Sequence, residues 1–414
     1  MSAPSPVIDP GLAPVEAADP ASFIRLAFEG VPLAPLIEAR MGALGAGAGD
    51  ASRLLDLGLL FQLVGERERA MTCQAAALET QRLYRHPTVG TPSLRLLVLA
   101  VAGDLMANTP LELMLEGRGV EITKAYVDAA APWPPSLPDH DLAFMAVSES
   151  DAARPVLEGL VGIEGRWPRP IINRASRVLE LARERLYHRL AGAPGLSIPP
   201  TIAMTGEALA AAIAAQAFPG DLAGHGLPVI VRPVGSHAGK ALERIDDWAA
   251  LDAYLASAPA GTAFYVSPFI DYAGADGFYR KYRIAFFAGR PFLCHMAVSS
   301  HWMVHYLNAG MAESAAKRAE EADAMASFDT GFAHRHAQGL RALHDRLGLD
   351  YFAVDCAELP DGSLLIFEAD VAMVIHDLDP ADLYPYKKPQ MHKVFDAFEG
   401  FLRAAAATPK KPLR

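Results

Sequence analysis

The chain has 414 residues, 51 % of them hydrophobic and 21 % charged, with a formal net charge of −11. This length exceeds what one ordinary core supports, so two or three domains are expected. The acidic balance excludes a binder of the nucleic-acid backbone, which needs a basic face, and Cys73, Cys294 and Cys356 are too scattered for a disulfide framework or a zinc motif.

The opening stretch, MSAPSPVIDPGLAPVEAADP, lacks the basic and apolar regions of a signal peptide. Its Pro/Ala content reads as a disordered leader over 1–20. The longest apolar run, Leu96 to Ala102, is too short to span a bilayer, so a cytoplasmic protein without a membrane partner is expected. Residues 21–90 carry helical periodicity. Within them Leu54, Leu57, Gly58 and Phe61 precede Ala70 and Ala77 at the spacings of one tetratricopeptide-type helix pair. Plain antiparallel helix packing explains the same spacings.

From Ser93 the period changes. LRLLVLAVAG, VEITKAYVD and HDLAFMAVSES read as strands of a small parallel sheet covered by helices, over 91–180. RVLELARERLYHRLAGAPG reads as a single helix. LPVIVRP reads as a buried strand entering the glycine-bounded GSHAGK, which completes a lobe over 181–262. A third segment, 263–405, holds AFYVSPFIDY, the strand pair of KYRIAFFAGRPFLCHMAVS, a helical stretch and the hairpin YFAVDCAELPDGSLLIFEAD. An amphipathic helix with Val394, Phe395, Phe398 and Phe401 on its apolar side closes the chain before a short tail, 406–414.

The hairpin carries the first chemistry. An Asp361-Gly362 turn of two residues places Asp355 opposite Glu368 and Ala353 opposite Asp370. Side chains alternate along a strand, so Asp355, Glu368 and Asp370 share one face, while Phe352, Val354, Cys356, Leu365, Phe367 and Ala369 share the other. Like charges directly opposed across a ladder repel, so the acidic face asks for a counter-ion. Oxygen ligands without a full cage suit Mg²⁺, which usually shares its shell with substrate phosphates. A solvated acidic face is the alternative. Without a metal, neutralising Asp355 or Glu368 is expected to be neutral or slightly stabilising.

The ordered set of parts is similar to the ATP-grasp enzymes of the glutathione synthetase and ribosomal-protein glutamate ligase kind, over roughly residues 93–403. The resemblance implies an α+β fold of two lobes behind a small α/β domain, preceded here by the helical module. It implies Asp355, Glu368 and Asp370 as magnesium ligands, with Asp370 standing where the family usually has Asn. Arg232 in VIVRP and Arg185 in ARERLYHRL match its phosphate-binding cations. Gly235, Ser236, His237 and Gly239 match its mobile glycine loop, where backbone N–H groups form an anion-binding concavity. Ser267, Pro268 and Phe269 match the segment that meets adenine, with the Phe269 N–H available to a ring nitrogen and Asp271 near the ribose. Arg283 and Asn308 match residues beside the transferring phosphoryl group.

The implied activity is ATP- and Mg²⁺-dependent joining of a carboxylate to an amine through an acyl phosphate, on an amino acid, a small acid, or a peptide or protein recruited by the N-terminal helices. Two other readings stay open: a nucleotide-binding interaction module whose helices recruit a protein, and a phosphotransferase that makes no amide. His301, Trp302, His305 and His376 receive no role, and a homodimer is compatible with the sequence.

Overall fold

The computed structural model describes residues 6–45, 50–86, 88, 90–130, 136–236, 239 and 241–408. LRLLVLAV forms Leu94–Val101, the centre of a six-stranded sheet, and its nearly unbroken burial follows from parallel neighbours on both sides. The strand order across that sheet is Val15–Glu16, Leu83–His86, Val120–Val127, Leu94–Val101, Leu142–Met145 and Ile171–Ile172, with Leu83–His86 antiparallel to Val120–Val127. The expected disordered leader is therefore corrected. Val7–Ile8 pairs with Ser136–Leu137 and Val15–Glu16 pairs with Leu83–His86, so these short segments add to strand edges.

The helical segment is a cover for this sheet. Asp50–Leu63 and Arg67–Thr80 pack closely where Gly58 faces the backbone of Ala70, the added Cβ of any other residue falling 3.3 Å from its carbonyl oxygen. The Tyr84 hydroxyl donates to the Ala77 carbonyl, and Gln74 exchanges hydrogen bonds with Gly103. Pro20–Phe28, capped by Asp19, and Ala34–Gly42 complete the layer. A single tight helix pair buried against a sheet is not a stack of repeats.

Two further sheets follow. A four-stranded antiparallel sheet has the order Ile202–Thr205, Ala263–Pro268, Val229–Pro233 and Glu243–Ile245. It has its own core of Met204, Leu209, Val229, Val231, Phe264 and Val266. Ala263–Pro268 belongs inside this lobe, so the boundary expected at residue 262 moves past Pro268. The five-stranded sheet has the order Arg290–Ser299, Tyr279–Phe287, Tyr351–Glu358, Leu364–Asp370 and Leu196–Ser197. It shares one continuous core with the six-stranded sheet.

Asn173 stitches those two sheets. Its Oδ1 accepts from the backbone N–H groups of Asp350 and Tyr351 at 3.0 Å each, and its Nδ2 donates to the Tyr351 carbonyl at 2.9 Å. No helix among the described residues is long and apolar enough to cross a membrane.

Candidate active site

The acidic hairpin reaches its expected pairing by an unexpected route. The connection is five residues, Leu359 to Ser363, closed by Leu359 N–H to Ser363 O and Gly362 N–H to Leu359 O at 2.9 Å. This turn slips the register by one residue, pairing Cys356 with Ile366. A bulge at Phe367 slips it back, so Asp355 faces Glu368 and Ala353 faces Asp370. The bulge also moves Phe367 off its expected core face and onto a cleft wall, 5.0 Å from the Tyr272 ring.

A second bulge, at Cys294, pairs Arg283 with His295 on the neighbouring strand. The two bulges leave one row across four strands: His295, Arg283, Asp355 and Glu368, each the Cα partner of the next. All four side chains line a cleft of about 540 Å³. Its opposite wall is the separately cored lobe, through Ile230, Arg232, Gly239, Tyr265 and Ser267.

The carboxylates have counter-ions within the chain. Asp355, 2 % exposed, accepts from Arg283 Nε at 2.8 Å and Nη2 at 3.0 Å, and from Lys281 Nζ at 2.9 Å. Burial alone would raise its pKa, but Arg283 and Lys281 overcome that and hold it far below the usual carboxylate range. Glu368 accepts from Arg183 Nη2 at 2.6 Å, and its pKa is lowered against burial chiefly by that cation. Asp370 differs. Its oxygens accept from Ser148 Oγ at 3.0 Å and from the Val371 and Ala372 N–H groups at 2.6 and 3.2 Å, and burial pushes its pKa up to about 6.

Asp370 stands apart from the other two expected ligands. Among the described residues no group of three or more ligating side chains converges, because Asp370 is turned onto Ser148 and the backbone. Asp355 and Glu368 alone fit a Mg²⁺ of the kind held by one or two carboxylates plus phosphates, being adjacent, ionised and on the cleft wall.

The cations also differ from expectation. The stretch read as one helix is broken into Ala175–Val178, a 3₁₀ turn Leu179–Leu181, and Arg183–Leu190, with extended backbone at Ala182. The break re-phases the last segment, so Arg183 reaches the cleft, while Arg185 lies 3.8 Å from Glu180 and does not line it. Arg232 lines the cleft but is turned onto the glycine loop, bonding the Ser236 carbonyl and, at 3.0 Å, Ser236 Oγ. Burial, then Arg183, lowers its pKa to about 10. Lys281 was missed, although it sits two residues before Arg283 on the same strand face.

In the glycine loop both Gly235 and Gly239 have positive φ, at 74° and 73°, and only Gly239 lines the cleft. His237 lies outside the described residues. Ser267, Pro268 and Phe269 line the cleft, and Ser267 Oγ is buried with no hydrogen-bond partner. The Phe269 N–H is not available to a ligand, because it donates to the Pro228 carbonyl at 3.0 Å. Asp271 is exposed off the cleft and accepts from the Ala273 N–H. Asn308 is likewise exposed and caps its own turn through the His305 N–H at 3.1 Å. Trp302, His305 and His376 line the cleft, whereas His301 does not.

The sequence matches no known protein-family profile and no curated protein. Among solved structures, the chain is similar to a RimK domain protein ATP-grasp from Sphaerobacter thermophilus DSM 20745, at 19 % identity over 75 % of this chain and 99 % of that one, with a TM-score of 0.41. It is similar to the VanG D-Ala:D-Ser ligase from Enterococcus faecalis at 12 % identity, over 76 % of this chain and 100 % of that one, with a TM-score of 0.45. A third likeness is to the ADP complex of purK, an N5-carboxyaminoimidazole ribonucleotide synthetase, at 15 % identity over 69 % and 72 % of the two chains, with a TM-score of 0.40. Likenesses this loose add nothing to the geometry of the cleft, on which the functional reading rests.

Proposed function

We propose that this protein is an ATP-dependent carboxylate–amine ligase of the ATP-grasp kind, working through an acyl phosphate. The observation that carries the reading is the row His295, Arg283, Asp355 and Glu368, set on a rigid sheet and facing an independently cored lobe that supplies Arg232 and a glycine loop. Such a cleft holds a polyphosphate between two bodies and surrounds it with Lys281, Arg283, Arg183 and Arg232.

A carboxylate oxygen of the substrate attacks the γ-phosphorus, and the bond to the bridging oxygen breaks to release ADP. The amine nitrogen of the second substrate then attacks the acyl carbon. The C–N bond forms, the C–O bond to phosphate breaks, and phosphate departs with a proton from the amine.

The protein's contribution is positioning and fixed charge. Arg283 and Lys281 stabilise charge spread over the transferring group, and Arg232 and Arg183 hold the remaining phosphates. A Mg²⁺ held by Asp355 and Glu368 would neutralise phosphate charge. His295 stays neutral, since burial first and Arg283 second hold its pKa well below the ordinary value. Ser267 Oγ offers the adenine edge a donor and acceptor that the protein leaves unused.

The test is ADP release across pairs of acids and amines, with the product mass measured. An amide together with ADP and phosphate is expected. A phosphorylated product without an amide, or no ADP from any pair, overturns the reading.

A further inference from the structure

The cleft continues past the cationic row into a compartment that phosphate chemistry does not use. Arg283 Nη1 donates to the Val374 carbonyl at 3.3 Å, and the same cleft also has an apolar stretch of wall. It is built by Ile24 and Phe28 of Pro20–Phe28, by Met106 and Leu113 of the α/β domain, and by Leu378 and Met391. Phe28 and Met106 remain 49 % and 37 % exposed there, large apolar side chains facing open space inside a cleft. The Phe28 ring stands 5.3 Å from that of His376, which burial keeps neutral.

The charge also reverses. At the row, Lys281, Arg283 and Arg183 face Asp355 and Glu368, an excess of positive charge suited to phosphate. In the compartment, Lys387 Nζ lies 3.1 Å from Asp379 and 3.4 Å from Glu321, so two carboxylates face one ammonium. Glu321 is fully buried and is further held by the Tyr306 and Tyr386 hydroxyls at 2.7 and 2.6 Å. Asp377 nearby is taken by Arg25 and His392 at 3.2 Å each. Buried charge is normally balanced, and here the cleft-facing Asp379 leaves one negative charge over.

We propose that this compartment binds the amine substrate of the ligase reaction, and that this substrate is a primary amine carrying an apolar side chain. Its ammonium sits at Asp379 and releases one proton to solvent before the nitrogen attacks, and its side chain lies against Ile24, Phe28 and Met106. The proposal rests on the ligase reading for its chemistry but stands on its own geometry for binding. It also gives the N-terminal helix a direct task, forming the acceptor wall.

Leucinamide, which has the ammonium and a branched side chain without a carboxylate, is titrated calorimetrically into the full-length protein with Mg²⁺ and a non-hydrolysable ATP analogue. Glycinamide, the same amine without the side chain, is the comparison. Leucinamide is expected to bind about tenfold more tightly than glycinamide. F28A should erase most of that difference, and D379N should weaken both probes.

No binding of either probe to the wild-type protein, equal binding of the two, or leucinamide affinity unmoved by both variants overturns the proposal. The expected binding pattern with no ADP release from any substrate pair keeps the compartment and sinks the ligase reading. ADP release with acceptors whose affinities ignore Phe28 and Asp379 does the reverse.

Discussion

The Arg283 guanidinium grips Asp355 from the adjacent position on the neighbouring strand, with Nε on Oδ1 at 2.8 Å and Nη2 on Oδ2 at 3.0 Å. Lys281 reaches the same carboxylate, so both of these half-buried cations hydrogen-bond to Asp355. Asp355→Ala therefore abolishes ATP turnover and also destabilises the fold by about 3–5 kcal/mol, because it removes the buried carboxylate and leaves two half-buried cations beside each other. For stability this reverses the sequence-based expectation that neutralising Asp355 without a metal is neutral or slightly stabilising. A melting temperature equal to wild type would show that solvent, and not Asp355, balances Arg283.

The helix break at Ala182 separates Arg183 from Arg185. Arg183→Ala removes a charge-assisted contact worth about 1.5–3 kcal/mol and should weaken ATP binding about tenfold or more. Arg185→Ala should leave nucleotide affinity within twofold, since its side chain is 42 % exposed and away from the cleft. Titration of an ATP analogue into both variants distinguishes them, and the opposite ranking would restore Arg185 to the site.

Gly239 combines positive φ with close contact, since an added Cβ would stand 3.1 Å from Met303 Sδ. Gly239→Ala should lower turnover more than Gly235→Ala, which meets nothing within 4 Å and carries only the backbone penalty of about 1–2 kcal/mol. Steady-state kinetics of the pair decide this, and equal losses would leave Met303 irrelevant.

His86 supplies a pH dependence remote from the cleft. It is buried with Nδ1 2.8 Å from the Ala18 carbonyl, and burial holds its pKa down to about 4. The folded-state pKa lies below the unfolded value, so the stability this group contributes is complete above about pH 6.5 and is lost as pH falls towards 4. The loss is on the order of 3 kcal/mol at most. Denaturation midpoints at pH 7 and 4.5 should differ less in His86→Gln than in wild type, and an identical difference would assign acid sensitivity elsewhere.

Truncation at Thr91 removes more than a recruiting module. Val15–Glu16 and Leu83–His86 are strands of the six-stranded sheet, and Ile24 and Phe28 line the cleft. The shortened chain should be insoluble or melt early, because the edge of Val120–Val127 and the buried face against Tyr84 are uncovered. A soluble truncation that binds ATP normally, with only a raised KM for its acceptor, would return the segment to a recruiting role.

By itself the sequence determined the local periods. Two-residue alternation put Asp355 and Glu368 on one face, and an unbroken apolar run marked Leu94–Val101 as a buried strand. These are properties of a few neighbouring residues, repeated until the hydrophobic effect selects one face. Only the tertiary structure decided the rest. The bulges at Phe367 and Cys294, the break at Ala182 and the turning of Asp370 onto Ser148 each depend on a partner distant in sequence. So does the meeting of Phe28 with His376 and of Lys387 with Glu321. No local pattern encodes these contacts, because side-chain charge and shape acquire their meaning only when separate elements close on one another.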